Sequence, residues 1–213
     1  MPGARKSKSA YHHGALREAL LEASLKVIAS AGVEGLSLRA VARSAGVTHG
    51  APYHHFPDKD ALLAALATDG FRILHEKLTR ARDAAGPDAG AQVEAIFLAY
   101  LAFAQRHTAH FRVMFKRDLA SPEALAMATQ AGAGTFDLLT EVIRQCQHQG
   151  LAPSGDPLPL ALTVWSTAHG LASLALDGAV SSLTRTGLYR GGDGKHLTSR
   201  VAAIARALLA AAA

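Results

Sequence analysis

The sequence predicts an all-α protein: an N-terminal three-helix head with a helix-turn-helix, followed by a larger helical domain. Apolar residues recur at three- and four-residue spacing along most segments, and no β-alternating run of useful length competes. Glycine and proline clusters interrupt these stripes at helix-length intervals, and no internal repeat is present. With 213 residues, 49% of them hydrophobic, the chain has enough apolar surface for a sizeable core. Four regions follow: a basic arm over 1–14, a helix-turn-helix domain over 15–60, a connecting helix over 61–84, and a larger helical domain over 85–213.

The arm carries Arg5, Lys6 and Lys8, and no Asp or Glu occurs before Glu18. Such a start is either a solvated tail or an arm that follows a phosphate backbone or minor groove. Net charge is +5 overall. Residues 1–60 hold +3 of it, with five of the histidines, so positive charge is densest at the head. The first helix, Ala15 to Ala31, aligns Leu16, Leu20, Val27 and Ile28 on one stripe, and Gly32 closes it.

The tract from Leu38 to Leu63 carries the most chemistry. Leu38, Val41, Ala42 and Ala45 sit at helical spacing, and the Ser37 side chain is placed to accept from the open N–H groups of the first turn. Gly46 tolerates the left-handed backbone of a sharp turn, with Val47 as an apolar plug behind it. Thr48 is expected to cap a short second helix, roughly His49 to Phe56, which Pro57 stops. Phe56 is the inward residue, leaving His49, Tyr53 and His54 at reading distance of a partner. Gly50 and Ala51 keep the helix start slim, so its N–H groups and positive dipole end suit a phosphate. Pro52 removes one backbone donor, which the start of a helix tolerates. Asp58 is expected to cap the third helix and to leave Lys59 at its positive end.

Ala45-Gly46-Val47-Thr48, Tyr53-His54-His55-Phe56 and Lys59-Asp60-Ala61-Leu62 together resemble the DNA-binding region of TetR-type transcriptional regulators. Pro52 departs from the leucine more common there. The resemblance implies a sequence-specific regulator of double-stranded DNA, with Thr48, Gly50, Tyr53 and Lys59 on phosphates and His49 and His54 at base edges. Ser37, Arg39 and Pro52 complete the candidate DNA face. Tyr11-His12-His13-Gly14 resembles the start of many such regulators, where it lies by the DNA backbone, although a plain helix lead-in fits equally.

Beyond the head, helices are expected over 61–84, 91–106, 109–116, 122–149, a span ending near Asp177, and a last one from Lys195. Breaks fall at 86–90 and 150–157, and 184–194 reads as a loop. Aromatic residues concentrate here: Phe97, Tyr100, Phe103, Phe111, Phe115 and Phe136, with Met114 beside them. Core packing explains each alone; together they suit an apolar effector cavity with Tyr100 or His169 as an orienting polar group. Trp165, His169 and Gly170 resemble the WHG type of TetR C-terminal domain, which places His169 in or beside an effector pocket, whereas a buried core histidine is the plainer account. Gly170 is expected to admit a neighbouring helix.

Apolar stripes on 160–176 and on the last helix (Leu197, Val201, Ile204, Ala205 and Leu208) exceed the needs of one domain. Regulators of this type pair through their last two long helices, and Ala168, Ala172 and Ala175 suit a close crossing. A homodimer would read two half-sites of a near-palindromic operator. His107 and His110 lack further ligands of metal-site spacing, so no metal and no cofactor are expected. No phosphate loop or nucleophile motif appears, so no catalytic residue is assigned and an enzyme is not expected. Cys146 is the only cysteine, which excludes an intrachain disulfide. The absence of a signal-peptide core and of a long apolar run suggests a cytoplasmic protein without a membrane partner. The resulting expectation is a repressor released from its operator by a small apolar effector. A helical-bundle binding protein or enzyme without DNA specificity is the alternative, and a nucleoid protein would carry more charge.

Overall fold

The computed structural model describes residues 8–115, 122–185 and 194–211, and within these every regular element is helical. In chain order they are α1 (Lys8–Ala31), α2 (Leu38–Ala45), a 3-10 helix (Ala51–His54), α3 (Lys59–Ala84), α4 (Ala89–Arg106), α5 (Thr108–Met114), α6 (Pro122–His148), α7 (Leu158–Leu176), α8 (Ala179–Arg185) and α9 (Gly194–Ala211). The helices divide into two compact units, one holding residues up to Asp69 together with 109–129, the other 70–108 and 130 onward.

In the first unit, the α1 stripe buries Leu20, Ala23 and Ile28 against Leu36, Leu38 and Val41 of the α2 region, with Phe56, Leu62 and Leu66 completing the core. Ser44 Oγ donates to the Ala23 carbonyl at 3.5 Å, tying α2 to α1. Ser37 accepts from the Ala40 N–H at 3.2 Å, and Gly46 ends α2 with φ 70°. A side chain at that φ costs energy, and the Gly46 and Val47 N–H groups close the helix on Arg43 O and Ala42 O.

Several expectations are corrected. Helix α1 begins at Lys8, so the helix takes in half of the expected arm and runs through Gly14; the side chains of 8–14, including Tyr11, His12 and His13, lie outside the described residues, as do Arg5 and Lys6. The second helix of the motif is a single 3-10 turn of four residues, Ala51–His54. Its flanking residue is Gly50, with no side-chain cap; Thr48 contributes its carbonyl, accepting from Ala51 N–H at 3.0 Å, rather than its hydroxyl.

The second unit stacks α4 against α7 and α9. Asp88 caps α4 through Gly90 and Ala91 N–H, and Gln149 ties the end of α6 to the same turn by accepting from Ala89 N–H at 3.0 Å and donating to Pro87 O at 2.9 Å. Arg206 of α9 lies across this turn with Nη2 2.9 Å from Asp88 Oδ2. Gly90 makes room for it: a Cβ there would stand 2.7 Å from Arg206 Nε. Cys146 is buried next to this cluster, and burial first, then the Asp88 charge, pushes its thiol up to about 11 with Arg206 opposing, so it stays protonated at neutral pH.

Two further points concern boundaries. The first compact unit takes in α5, which packs its Val113 into that unit's core. The expected loop over 184–194 begins later, since α8 continues to Arg185; 186–193 and Lys116 lie outside the described residues.

Candidate nucleic-acid interface and effector site

The α2–turn–3-10 segment of the first unit turns its polar residues outward. Ser37, Arg39, Thr48, His49, Gly50 and His54 are exposed, Tyr53 is 52% exposed, and Phe56 three residues on is 2% exposed. The split between Tyr53 and Phe56 follows from chemistry, because the phenol hydroxyl is satisfied by water while the plain ring is not. Asp58 caps α3 by accepting from Ala61 N–H at 2.8 Å, and it leaves half-buried Lys59 as the first residue of that helix. Hydroxyls, imidazoles and cations thus run along one surface beside a helix start, a donor-rich strip suited to phosphate and base edges.

Pro52 is the exception on this face. It is buried and stands in the first turn of the 3-10 helix, where its missing N–H has no bond to lose, and its carbonyl accepts from both His55 and Phe56.

The aromatic residues of the larger region separate into groups. Phe97 and Phe103 are fully buried core, and His107 stacks on Phe103 at 5.1 Å. Phe111, Met114 and Phe115 belong to the first unit, with Phe111 and Phe115 in an edge contact at 5.5 Å. His110, also on α5, is 5% exposed with Nε2 3.2 Å from Asp69 Oδ2.

Tyr100, Phe136, Trp165 and His169 come together within the second unit. The Tyr100 hydroxyl and His169 Nδ1 are 2.8 Å apart across α4 and α7. Trp165 stands 5.8 Å from the His169 ring and 5.9 Å from that of Phe136. Tyr100 forms the floor at 4% exposure, while Phe136, Trp165 and His169 are half-buried. Burial pushes the Tyr100 phenol well above its ordinary value, opposed by a hydrogen bond with Trp165, and burial lowers His169. Both groups are therefore neutral at pH 7. Among the described residues of this unit no Lys, Arg, Asp or Glu is buried. The cluster offers neutral hydrogen-bonding groups between aromatic walls.

Among the described residues Gly170 does not serve as a close helix contact: a Cβ there would meet nothing within 4 Å. Ala168 and Ala172 are buried inside the unit, so the small residues turned outward on α7 are Ser166 and Thr163. Leu158, Leu162 and Leu174 of α7 and Ile204 of α9 are each about half exposed. Of the expected α9 stripe, Val201 is half-buried, and the side chains of Leu197, Ala205 and Leu208 lie outside the described residues. Among the described residues no helix is long and apolar enough to cross a membrane.

Residues 20–66 match the family of bacterial regulatory proteins termed tetR, and residues 93–187 match the tetracyclin repressor-like C-terminal domain. An HTH-type transcriptional regulator BetI of Burkholderia cenocepacia is 37% identical over 83 residues, 39% of this chain and 43% of the relative, so less than half of that relative's length is matched. A protein of unknown function from Rhodococcus sp. RHA1 is similar at a TM-score of 0.77 and 35% identity, over 94% of this chain and 98% of its own. AibR, solved in complex with isovaleryl coenzyme A and operator DNA, shares the fold at a TM-score of 0.63 and 24% identity, over 74% of this chain and 86% of its own. With the helix-turn-helix and the C-terminal region both matched in chain order, the protein belongs to the TetR family of DNA-binding transcriptional regulators, a family without enzymatic activity.

Proposed function

We propose that the protein is a homodimeric repressor of the cytoplasm, released from a near-palindromic operator by a small apolar effector. The observation that carries this reading is the exposed strip of Thr48, His49, Gly50, Tyr53 and His54, with Lys59 at its end. One such strip spans only a few base pairs, so useful specificity requires two copies on two half-sites. Leu162, Leu174 and Ile204 supply an apolar face for the second copy through the last two long helices. The Tyr100–His169 pair between Trp165 and Phe136 supports an effector site and, with Gly170, a C-terminal domain of the WHG type. AibR pairs operator DNA with an acyl-coenzyme A, which supports effector control in a protein of this fold. Effector would act by binding more tightly to a conformer whose two heads are wrongly spaced, a coupling of about 1–3 kcal/mol.

Sedimentation of the full chain at micromolar concentration tests the dimer. A dimer is expected, with Leu174→Glu and Ile204→Glu shifting it to monomer and weakening operator binding; a native monomer would sink the reading. For the effector, a panel of small apolar compounds is expected to contain members that raise the melting temperature and release DNA together. A panel in which none does either would remove the effector from the account.

A further inference from the structure

Arg17 lies on α1, outside the helix-turn-helix, with its guanidinium carbon 5.4 Å above the centre of the Phe56 ring. The residue is exposed. One turn away on either side stand His13, Gly14, Leu20 and Leu21, so no carboxylate is placed for an ion pair along the helix. Glu18 and Glu22 project more than a quarter turn around it, by the 100° step of the helix. Among the described residues no ion pair or hydrogen bond uses the Arg17 side chain. The ring beneath it holds the cation in place without neutralising it or consuming its N–H groups, which leaves the five donors of the guanidinium unspent.

The location of that unspent charge is informative. Phe56 is three residues beyond Tyr53 and three before Lys59, so the cation from α1 stands beside the segment that joins the outward strip to the start of α3. A plain covering role for the aliphatic stem would be served equally by a neutral residue. An always-charged, planar donor held rigidly next to a DNA-reading strip matches the geometry of a phosphodiester, which accepts two parallel N–H bonds.

We propose that Arg17 binds a backbone phosphate of the operator, adjoining the one bound by Lys59, with Phe56 as its positioning residue. The contact is made to the sugar-phosphate backbone and is indifferent to base sequence. It extends the DNA surface onto α1.

The test uses the full chain, a fluorescent duplex carrying the site chosen from random DNA, and an unrelated duplex of equal length, over a series of salt concentrations. Arg17→Met keeps an apolar stem over Phe56 and removes the charge. It is expected to weaken both duplexes by a similar factor, about tenfold at low salt. The plot of log affinity against log salt should become shallower by about 0.9 for each protomer bound, with the preferred bases unchanged. Arg17→Lys, which keeps the charge, is expected to retain the native slope. Should Arg17→Met fail to fold, Arg17→Gln carries the same expectation. A native slope in the folded neutral variant, or a loss confined to the selected site, would overturn the assignment.

Discussion

Replacing Tyr100 by Phe removes one oxygen from the floor of the second unit and leaves the ring in place. That oxygen is 2.8 Å from His169 Nδ1 in a residue only 4% exposed, so little water can take its place. A hydrogen bond of this kind contributes about 0.5–1.5 kcal/mol net, and a buried partner left unsatisfied costs about 1–3 kcal/mol. His169 is half-buried and recovers part of the loss through solvent, which brings the expected cost of Tyr100→Phe to about 1–2 kcal/mol. In a chain of this length that is a fall of about 2–8 °C in melting temperature. Urea unfolding of Tyr100→Phe, His169→Gln and the double variant at pH 7.5 isolates the pair, and a coupling of at least about 0.5 kcal/mol is expected. The pH dependence supplies an independent check. Burial holds His169 below its ordinary value of 6.5, so below that pH the unfolded chain binds more protons than the folded one. The contribution is present in full above pH 6.5 and is lost as pH falls toward the folded value, and His169→Gln should flatten that part of the acid limb. Additive single variants, together with an acid limb unchanged in His169→Gln, would refute the pairing as a source of stability.

Lys59→Ala should weaken binding to every duplex and flatten the salt dependence if the residue, first of α3, takes the phosphate contact proposed for it; unchanged affinity across several salt concentrations would contradict that role. His49→Ala should instead alter which bases are preferred at a position of each half-site, read by repeating the selection from random DNA. For Gly90→Ala, the new Cβ stands 2.7 Å from Arg206 Nε, so the guanidinium must leave its place across α4. Because alanine favours the helix by about 1 kcal/mol over glycine, the melting temperature should hold while amide exchange in α9 speeds up. Protection in α9 equal to the native chain's would show that the Arg206 contact does not restrain that helix.

Local chemistry made much of this molecule legible from its sequence. Ser37, Gly46, Gly32 and Asp58 each do what their side chains or lack of one require, and they bound α1, α2 and α3 as expected. The inward Phe56 and outward Tyr53 followed from the same reasoning. What local chemistry did not reveal depended on contacts distant in sequence. Helical spacing places Phe111 and Met114 on an apolar face but cannot say that α5 joins the head unit, because Val113 meets its core partners over forty residues away. The pairing of Tyr100 with His169 spans 69 residues, and the seat of Arg206 over Gly90 more than a hundred. The burial of Pro52 in the 3-10 turn was likewise beyond reach of local spacing, because the turn is only four residues long.

Selection of binding sites from a pool of random duplexes by the full chain tests the central claim, that the strip from Thr48 to Lys59 reads DNA as a symmetric pair. The account predicts enrichment of a near-palindromic consensus with half-sites about one helical turn or more apart. Recovery of no consensus, or of a single half-site without a symmetry mate, would contradict it.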